Sequence, residues 1–529
     1  MNRTQMIARV RERSDPWDIV VIGGGATGAG VAVDAATRGF SVLLVEREDF
    51  GKGTSSRSTK LIHGGVRYLE QGNVSLVMEA LRERGRLFHN APHLVQDLPF
   101  VVPTYSWWES PFYGIGLKVY DLLAGKFGFG KSRLLSRDET LEKLPTLQLE
   151  GLRGGIVYHD GQFDDTRLLI HLLATAVDHG AAVLNYASAV RLSKGPDNFL
   201  NGVVVDDRES GETHYIPARV VVNATGIFTD EIRRLDEPNA ETMVSPSQGI
   251  HLVFDQSFLR GNTAIMVPHT ADGRVMFAIP WHGHTVVGTT DTPIDRPSYE
   301  PPPLEDEIEF VLETAARYLI RPPTRDDILS IYVGIRPLVK VPGNNRTASL
   351  SREHTIHIDE SGLLTIVGGK WTTYRHMAED CVDHAITLGD LKETPCVTCD
   401  LRLHGYHQHP EALGSLGVYG SDAIKIQALI EAQPNLASRL HPDLPNIAAE
   451  VVWAAREEMA RNVEDILARR TRALFLNAKA AIAMAPEVAG ILAAERGLDS
   501  GWAYQQVERF QALAAQYVSA VSSTQSRKG

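Results

Sequence analysis

The chain is poor in cysteine, in basic relative to acidic residues, and in uninterrupted apolar runs, and each shortage removes a class of protein. Three cysteines in 529 residues, Cys381, Cys396 and Cys399, cannot staple a disulfide scaffold, so a reducing cytoplasm is the expected compartment. With 53 Lys and Arg against 65 Asp and Glu the formal net charge is −12, and nucleic acid is not expected among the partners. No stretch approaches the roughly 18 apolar residues that cross a bilayer, and Met1 to Arg13 lacks the apolar core of a signal peptide. Any contact with a membrane is then expected at its surface. Fixed-period repeats are lacking too. What is present, 43% hydrophobic and 22% charged residues with 45 Gly and 27 Pro dispersed along the chain, is the composition of a folded protein. At roughly 150 residues per domain, the length suits two to four domains.

The chain opens on a βαβ pattern. Asp18 to Ile22 is a short β-branched run ending in Gly23-Gly24-Gly25, Ala26 to Arg38 is helical before Gly39, and Ser41 to Val45 is a second buried strand with Glu46 at its end. Ser75 to Phe88 has helical spacing, whereas Pro92 to Pro111 reads as irregular or extended. Asp165 to His179 is a further helix, followed by strands at Val183 to Tyr186, Val203 to Val205 and Val220 to Asn223. Thr263 to Thr290 alternates as an antiparallel sheet does, and a helix ends near Leu319. Beyond Thr394 strand signals fade, and Ile447 to Arg496 is Ala-, Glu- and Leu-rich with helical periodicity, which predicts a separate helical domain.

Gly23-x-Gly25-x-x-Gly28 lies between a predicted strand and helix, and this context makes it a dinucleotide-binding turn. The first glycine permits the turn, the second lets backbone N–H groups approach a pyrophosphate at the helix N-terminus, and the third lets helix and strand pack closely. Glu46 suits two ribose hydroxyls and would repel a 2′-phosphate. The turn alone does not separate NAD from FAD. Since no second fingerprint follows, an FAD would take electrons directly from a substrate.

The segment Thr54-Ser-Ser-Arg-Ser-Thr-Lys-Leu-Ile-His-Gly-Gly-Val-Arg-Tyr-Leu69 resembles the signature of FAD-dependent glycerol-3-phosphate dehydrogenases. Asn223-Ala-Thr-Gly226, Gly288-Thr-Thr-Asp291, Gly334-Ile-Arg-Pro-Leu338 and Gly368-Gly-Lys-Trp-Thr-Thr-Tyr-Arg375 follow in that family's order. Glu457-Glu-Met-Ala, Asp465-Ile-Leu and Arg469-Arg-Thr471 resemble its accessory domain, so the likeness covers about residues 17 to 500. It implies an α/β fold: a Rossmann-like FAD domain of the D-amino-acid-oxidase type built from 15–75, 155–230 and 331–390, an antiparallel-sheet substrate domain from 76–154 and 231–330, and a helical C-terminal domain from 391–529.

It also implies oxidation of sn-glycerol 3-phosphate to dihydroxyacetone phosphate, with electrons passed to a membrane quinone. Such a reaction needs cations for a dianion, a base for the C2 hydroxyl and a charge that tunes the flavin. Arg336 and Arg67, the latter beside Tyr68, are the expected phosphate ligands, with Arg352 a third, because planar guanidinium groups bond phosphate through paired N–H groups. His251 is the expected base, for which an ordinary pKa near 6.5 is suited, and His63 either shares that task or positions the ring. Lys370 is expected at the flavin. Thr54, Ser55, Ser56 and Ser58, together with Ala224, Gly226, Gly369 and Thr372, are expected at the cofactor. An oxidase that reduces O₂ to H₂O₂ and a non-catalytic flavin-binding adaptor remain as rivals, a flavin amine oxidase fits the arginines less well, and a homodimer is left open.

Between Trp107 and Leu135 aromatic residues mix with Lys118, Lys126, Lys131 and Arg133, and Ile115, Val119 and Leu122 share a helix face. The segment is read either as a surface anchor on the inner face of the cell membrane or as a helix covering the core. Cys396-x-x-Cys399 with His404, His407 and His409 offers nominal zinc ligands, but the spacing matches no standard site and no metal is expected.

Overall fold

The computed structural model describes residues 1–65, 73–107, 109–268, 270, 273–340 and 353–518. Of the β-branched runs read from the sequence, those at 18–22, 41–45, 183–186 and 220–223 fall in parallel strands, whereas 203–205 falls in the antiparallel strand Leu200–Asp207. Trp17–Ile22 lies between Val42–Val45 and Thr213–Asn223, with Ile19 opposite Val42 on one side and Val220 on the other. Ala182–Leu184 and Leu363–Gly368 extend the parallel set, and three antiparallel strands complete an eight-stranded sheet. The helix Ala26–Thr37 packs on this sheet between Asp165–Asp178 and Tyr374–Leu388. At Gly30 a Cβ would stand 2.9 Å from the Tyr374 ring, so the close helix contact depends on glycine there.

A second, ten-stranded sheet contains the predicted antiparallel run: Ala264–Val267, Met276–Trp281, His284–Gly288 and Val244–Asp255 are consecutive neighbours. Val95–Thr104 forms a ten-residue strand within it, which is the extended alternative read for this stretch, and it includes Pro99 and Pro103. Those prolines are four residues apart, so both missing N–H groups face the same side of the strand. Gly154–Phe163 and Ser330–Val339 also pair in this second sheet, the latter along the whole of Val244–Val253. The sequence reading counted 155–163 and 331–339 with the FAD domain, and backbone pairing across long sequence separations assigns them otherwise.

The C-terminal helices, among them Ala448–Glu457, Ala478–Arg496 and Ser500–Ala514, pack on one another and on the second sheet. Their buried faces join Phe100, Ile279, Trp281 and Tyr332 of the second sheet in one apolar cluster. The expected helical C-terminal domain is present, and its apolar interior, built where these helices pack on one another, continues into the second sheet.

Candidate active site

A cavity of about 370 Å³ opens where the carboxyl ends of the parallel strands meet the second sheet. Its floor is the glycine turn. Gly23 has φ +113°, and a Cβ on it would lie 2.6 Å from the Ala224 carbonyl oxygen. A Cβ on Gly28 would lie 1.9 Å from the Gly23 carbonyl oxygen, so strand and helix meet there without room for a side chain. Gly23 and Gly25 line the cavity, whereas Gly28 sits behind it as a packing residue.

Glu46 is walled in beside them. Its carboxylate accepts the N–H groups of Gly24 at 2.7 Å and Glu48 at 2.8 Å, while burial pushes its pKa up. Two N–H bonds leave lone pairs for further donors, which matches the sugar-binding part assigned to this position. The cradle in which no Cβ fits and the half-buried acid beside it together fit an adenine dinucleotide.

Segment 53–59 forms one wall. Thr54 Oγ1 donates to the Ile335 carbonyl, Ser55 Oγ accepts the Ala26 N–H at 2.9 Å, and Ser58 Oγ donates to Asp165 at 2.7 Å. All three residues line the cavity, with their hydroxyls engaged by the protein. Ser56 does not line it: its side chain is turned to the Gly53 carbonyl at 3.4 Å. Ala224, Gly226, Gly369 and Thr372 do, and Thr372 is tied to the His63 backbone N–H at 3.3 Å. Gly368 and Gly369 both take positive φ, +85° and +70°, and this turn delivers Lys370 to the cavity with its Nζ buried.

On the opposite wall, the register of two strands brings the expected substrate residues to one face. Ser247 pairs with Arg336 and His251 with Tyr332, and both pairs belong to alternate positions of neighbouring strands. The Arg336 guanidinium donates to Asp291 at 3.1 Å and to the Thr290 carbonyl at 3.0 Å, which aims it before any ligand arrives. His251 stacks on Tyr332 with centroids 4.6 Å apart, and its Nε2 shares a 2.9 Å hydrogen bond with Thr59 Oγ1. Its Nδ1 is buried with no partner among the described residues. Burial, reinforced by the charges of Lys60 and Arg336, holds the His251 pKa well below 6.5. The expected near-neutral pKa is therefore corrected; in this cavity the imidazole stays uncharged.

His63 lines the same cavity, 6.5 Å from the Phe277 ring. Arg67, Tyr68 and Arg352 lie outside the described residues. Thr59, Thr289, Asp291 and Tyr299 escaped the sequence reading. The first three stand inside motifs already recognised, and only the tertiary contacts to His251 and Arg336 distinguish them from their neighbours. Cys396 donates its thiol to Asp34 at 2.9 Å, and burial raises its pKa to about 11, so it is a protonated packing group. His404 is held between Asp178 and Asp422, each at 2.7 Å.

Comparison with known proteins agrees with this geometry. Residues 18–375 match the family described as FAD dependent oxidoreductase, and 364–502 match the C-terminal domain of alpha-glycerophosphate oxidase. The chain is 43% identical to the mitochondrial glycerol-3-phosphate dehydrogenase SDP6 of Arabidopsis thaliana, over 94% of this chain and 85% of that protein. It is 40% identical to the human mitochondrial glycerol-3-phosphate dehydrogenase, over 94% of this chain and 73% of that one. The solved glycerol-3-phosphate dehydrogenase of Bacillus halodurans, complexed with FAD, superposes with a TM-score of 0.78 at 30% identity, covering 98% of this chain and 97% of that chain. A cradle shaped for a dinucleotide, an arginine and a neutral histidine on one face, and similarity along nearly the whole chain lead to one conclusion: this chain belongs to the family of FAD-dependent glycerol-3-phosphate dehydrogenases.

Proposed function

We infer that the protein oxidises glycerol 3-phosphate to dihydroxyacetone phosphate and passes the electrons to a membrane quinone. The observation that carries this reading is the cavity itself, where Arg336 and His251 share one sheet face opposite the glycine turn. FAD, when bound, supplies the two-electron acceptor that takes the C2 hydride. Arg336, already oriented by Asp291, anchors the phosphate through charged hydrogen bonds, and Arg67, Tyr68 and Arg352 are assigned to the same dianion from their motifs.

His251 takes the C2 hydroxyl proton at Nε2 once the substrate hydroxyl displaces Thr59 Oγ1 from that nitrogen. An uncharged imidazole is the form able to accept it, and the incoming dianion offsets the cationic field that otherwise opposes imidazolium. Lys370, which lines the cavity, would set a cation beside a bound flavin ring. His63, tied to Thr372, positions the ring. Thr54, Ser55 and Ser58 line the cofactor's path.

Membrane docking is assigned to the helix Glu109–Ala124. Leu117, Tyr120 and Ala124 cover the core, while Ile115, Val119 and Leu122 face outward at 69%, 43% and 80% exposure. With Trp107 and Leu134 exposed nearby, and Lys118, Lys126, Lys131 and Arg133 in the same stretch, this band suits an anionic lipid surface. No helix among the described residues is long and apolar enough to cross a membrane. Oxygen is the rival acceptor, because residues 364–502 match a domain described from an oxidase.

Anaerobic addition of glycerol 3-phosphate should bleach the flavin absorbance, and reoxidation by a quinone analogue should outpace that by air with little H₂O₂ formed. An unbleached flavin overturns the substrate reading, and stoichiometric H₂O₂ overturns the acceptor reading.

A further inference from the structure

The C-terminal helices touch the cavity wall from behind, and they do so with a cluster of mostly buried charges alongside the Phe475 and Tyr517 rings. Asp49, at the start of the wall segment, receives Arg469 Nε at 2.6 Å and both Arg470 Nη groups at 2.8 and 2.9 Å. Lys52 Nζ meets Glu464 at 3.1 Å. The Ser56 carbonyl accepts Arg472 Nη2 and Lys60 Nζ, each at 2.8 Å, and both cations also bond Asp165, at 3.1 and 2.6 Å. Arg57 pairs with Glu300 at 2.6 Å, and Tyr517 donates to the same carboxylate at 2.8 Å. Asp49, Lys60, Asp165, Arg469, Arg470 and Arg472 are all at most 2% exposed.

Charges this deep are destabilising unless every partner is present, and the partners come from opposite ends of the chain. Without the C-terminal arginines Asp49 would be an uncompensated acid in the interior, and Asp165 would keep Lys60 as its cation. The paired arrangement fixes the backbone at Asp49, Lys52, Ser56, Arg57 and Lys60, and this same stretch supplies Gly53, Thr54, Ser55, Ser58 and Thr59 to the cavity wall. A segment ordered in advance gives up no conformational freedom when a ligand binds it, whereas a loose one does.

We propose that the C-terminal helical region is a clamp that sets cofactor affinity: Glu464, Arg469, Arg470 and Arg472 are positioning residues that hold segment 49–60 in its cavity-lining form. None of the four lines the cavity. The inference concerns FAD retention and is independent of which residues bind substrate.

The test uses the full-length protein, stripped of FAD and reconstituted. Arg472→Met should raise the FAD dissociation constant at least about tenfold, as loss of charged hydrogen bonds to Ser56 and Asp165 implies. Amide exchange in 49–60 of the apoprotein should quicken at the same time, the visible flavin band should broaden, and Arg472→Lys should recover part of the affinity. Should Arg472→Met not fold, Glu464→Gln, at a partly exposed pair, decides the matter through the same readouts. Unchanged FAD affinity overturns the clamp. So does weaker affinity with exchange in 49–60 unaltered, because the effect would then come from general loss of stability.

Discussion

Arg336 owes its usefulness to the groups that hold it. Asp291 and the Thr290 carbonyl fix its guanidinium on the cavity face, so little rotamer freedom remains to be lost when a phosphate binds. Arg336→Gln should raise KM for glycerol 3-phosphate about ten- to a hundredfold, with FAD content unchanged, in steady-state kinetics with a dye acceptor. The motif around Arg336 was readable, but Asp291 was not separable from other acids until the fold set it 3.1 Å away. Thr59 is a similar case. It stands among Ser55, Ser56 and Ser58 in one hydroxyl-rich run, and only the strand bearing His251 singles it out. The pKa of His251 was illegible for the same reason, since burial and neighbouring cations are properties of the packed chain.

Elements impose their own constraints. Any side chain at Gly28 must push the helix Ala26–Thr37 off the first strand, given a Cβ placed 1.9 Å from a carbonyl oxygen. Gly28→Val should therefore yield protein without FAD, measured as loss of the flavin-to-protein absorbance ratio on purification. The helix Glu109–Ala124 meets the opposite demand, with one face buried and an apolar face left outside. Replacing Ile115 and Leu122 together by lysine and glutamate should abolish flotation with anionic liposomes while activity with a soluble dye acceptor persists. Helix spacing identified one apolar face of this element in the sequence, Ile115, Val119 and Leu122, and left open whether it meets a membrane or the core. What it could not tell was that Leu117 and Tyr120 already fill the core contact, which leaves that face to solvent.

Across the whole molecule, buried histidines pull stability in one direction with pH. Burial holds His171 and His251 well below 6.5 and lowers His93 to about 4. Below about 6.5 the unfolded chain binds protons that these folded sites refuse, so stability should fall as pH drops from there towards 4. His404 acts oppositely. Its hydrogen bonds to Asp178 and Asp422 raise its pKa to about 9, so its contribution is complete below the unfolded value of 6.5 and is lost as pH rises through 9. His404→Gln should thus lower the midpoint of urea unfolding at about pH 6 and have no such effect at about pH 10.

The linear chain alone determined the dinucleotide turn, the parallel strands about it and the helical character of the C-terminal third, because each follows from local periodicity and from glycine's freedom at a few positions. Sheet membership of 154–163 and 330–339, the uncharged state of His251, and the pairing of Asp49 and Ser56 with arginines some four hundred residues away were decided by the tertiary structure. Those depend on which surfaces exclude water together, and no window of neighbouring residues contains that information.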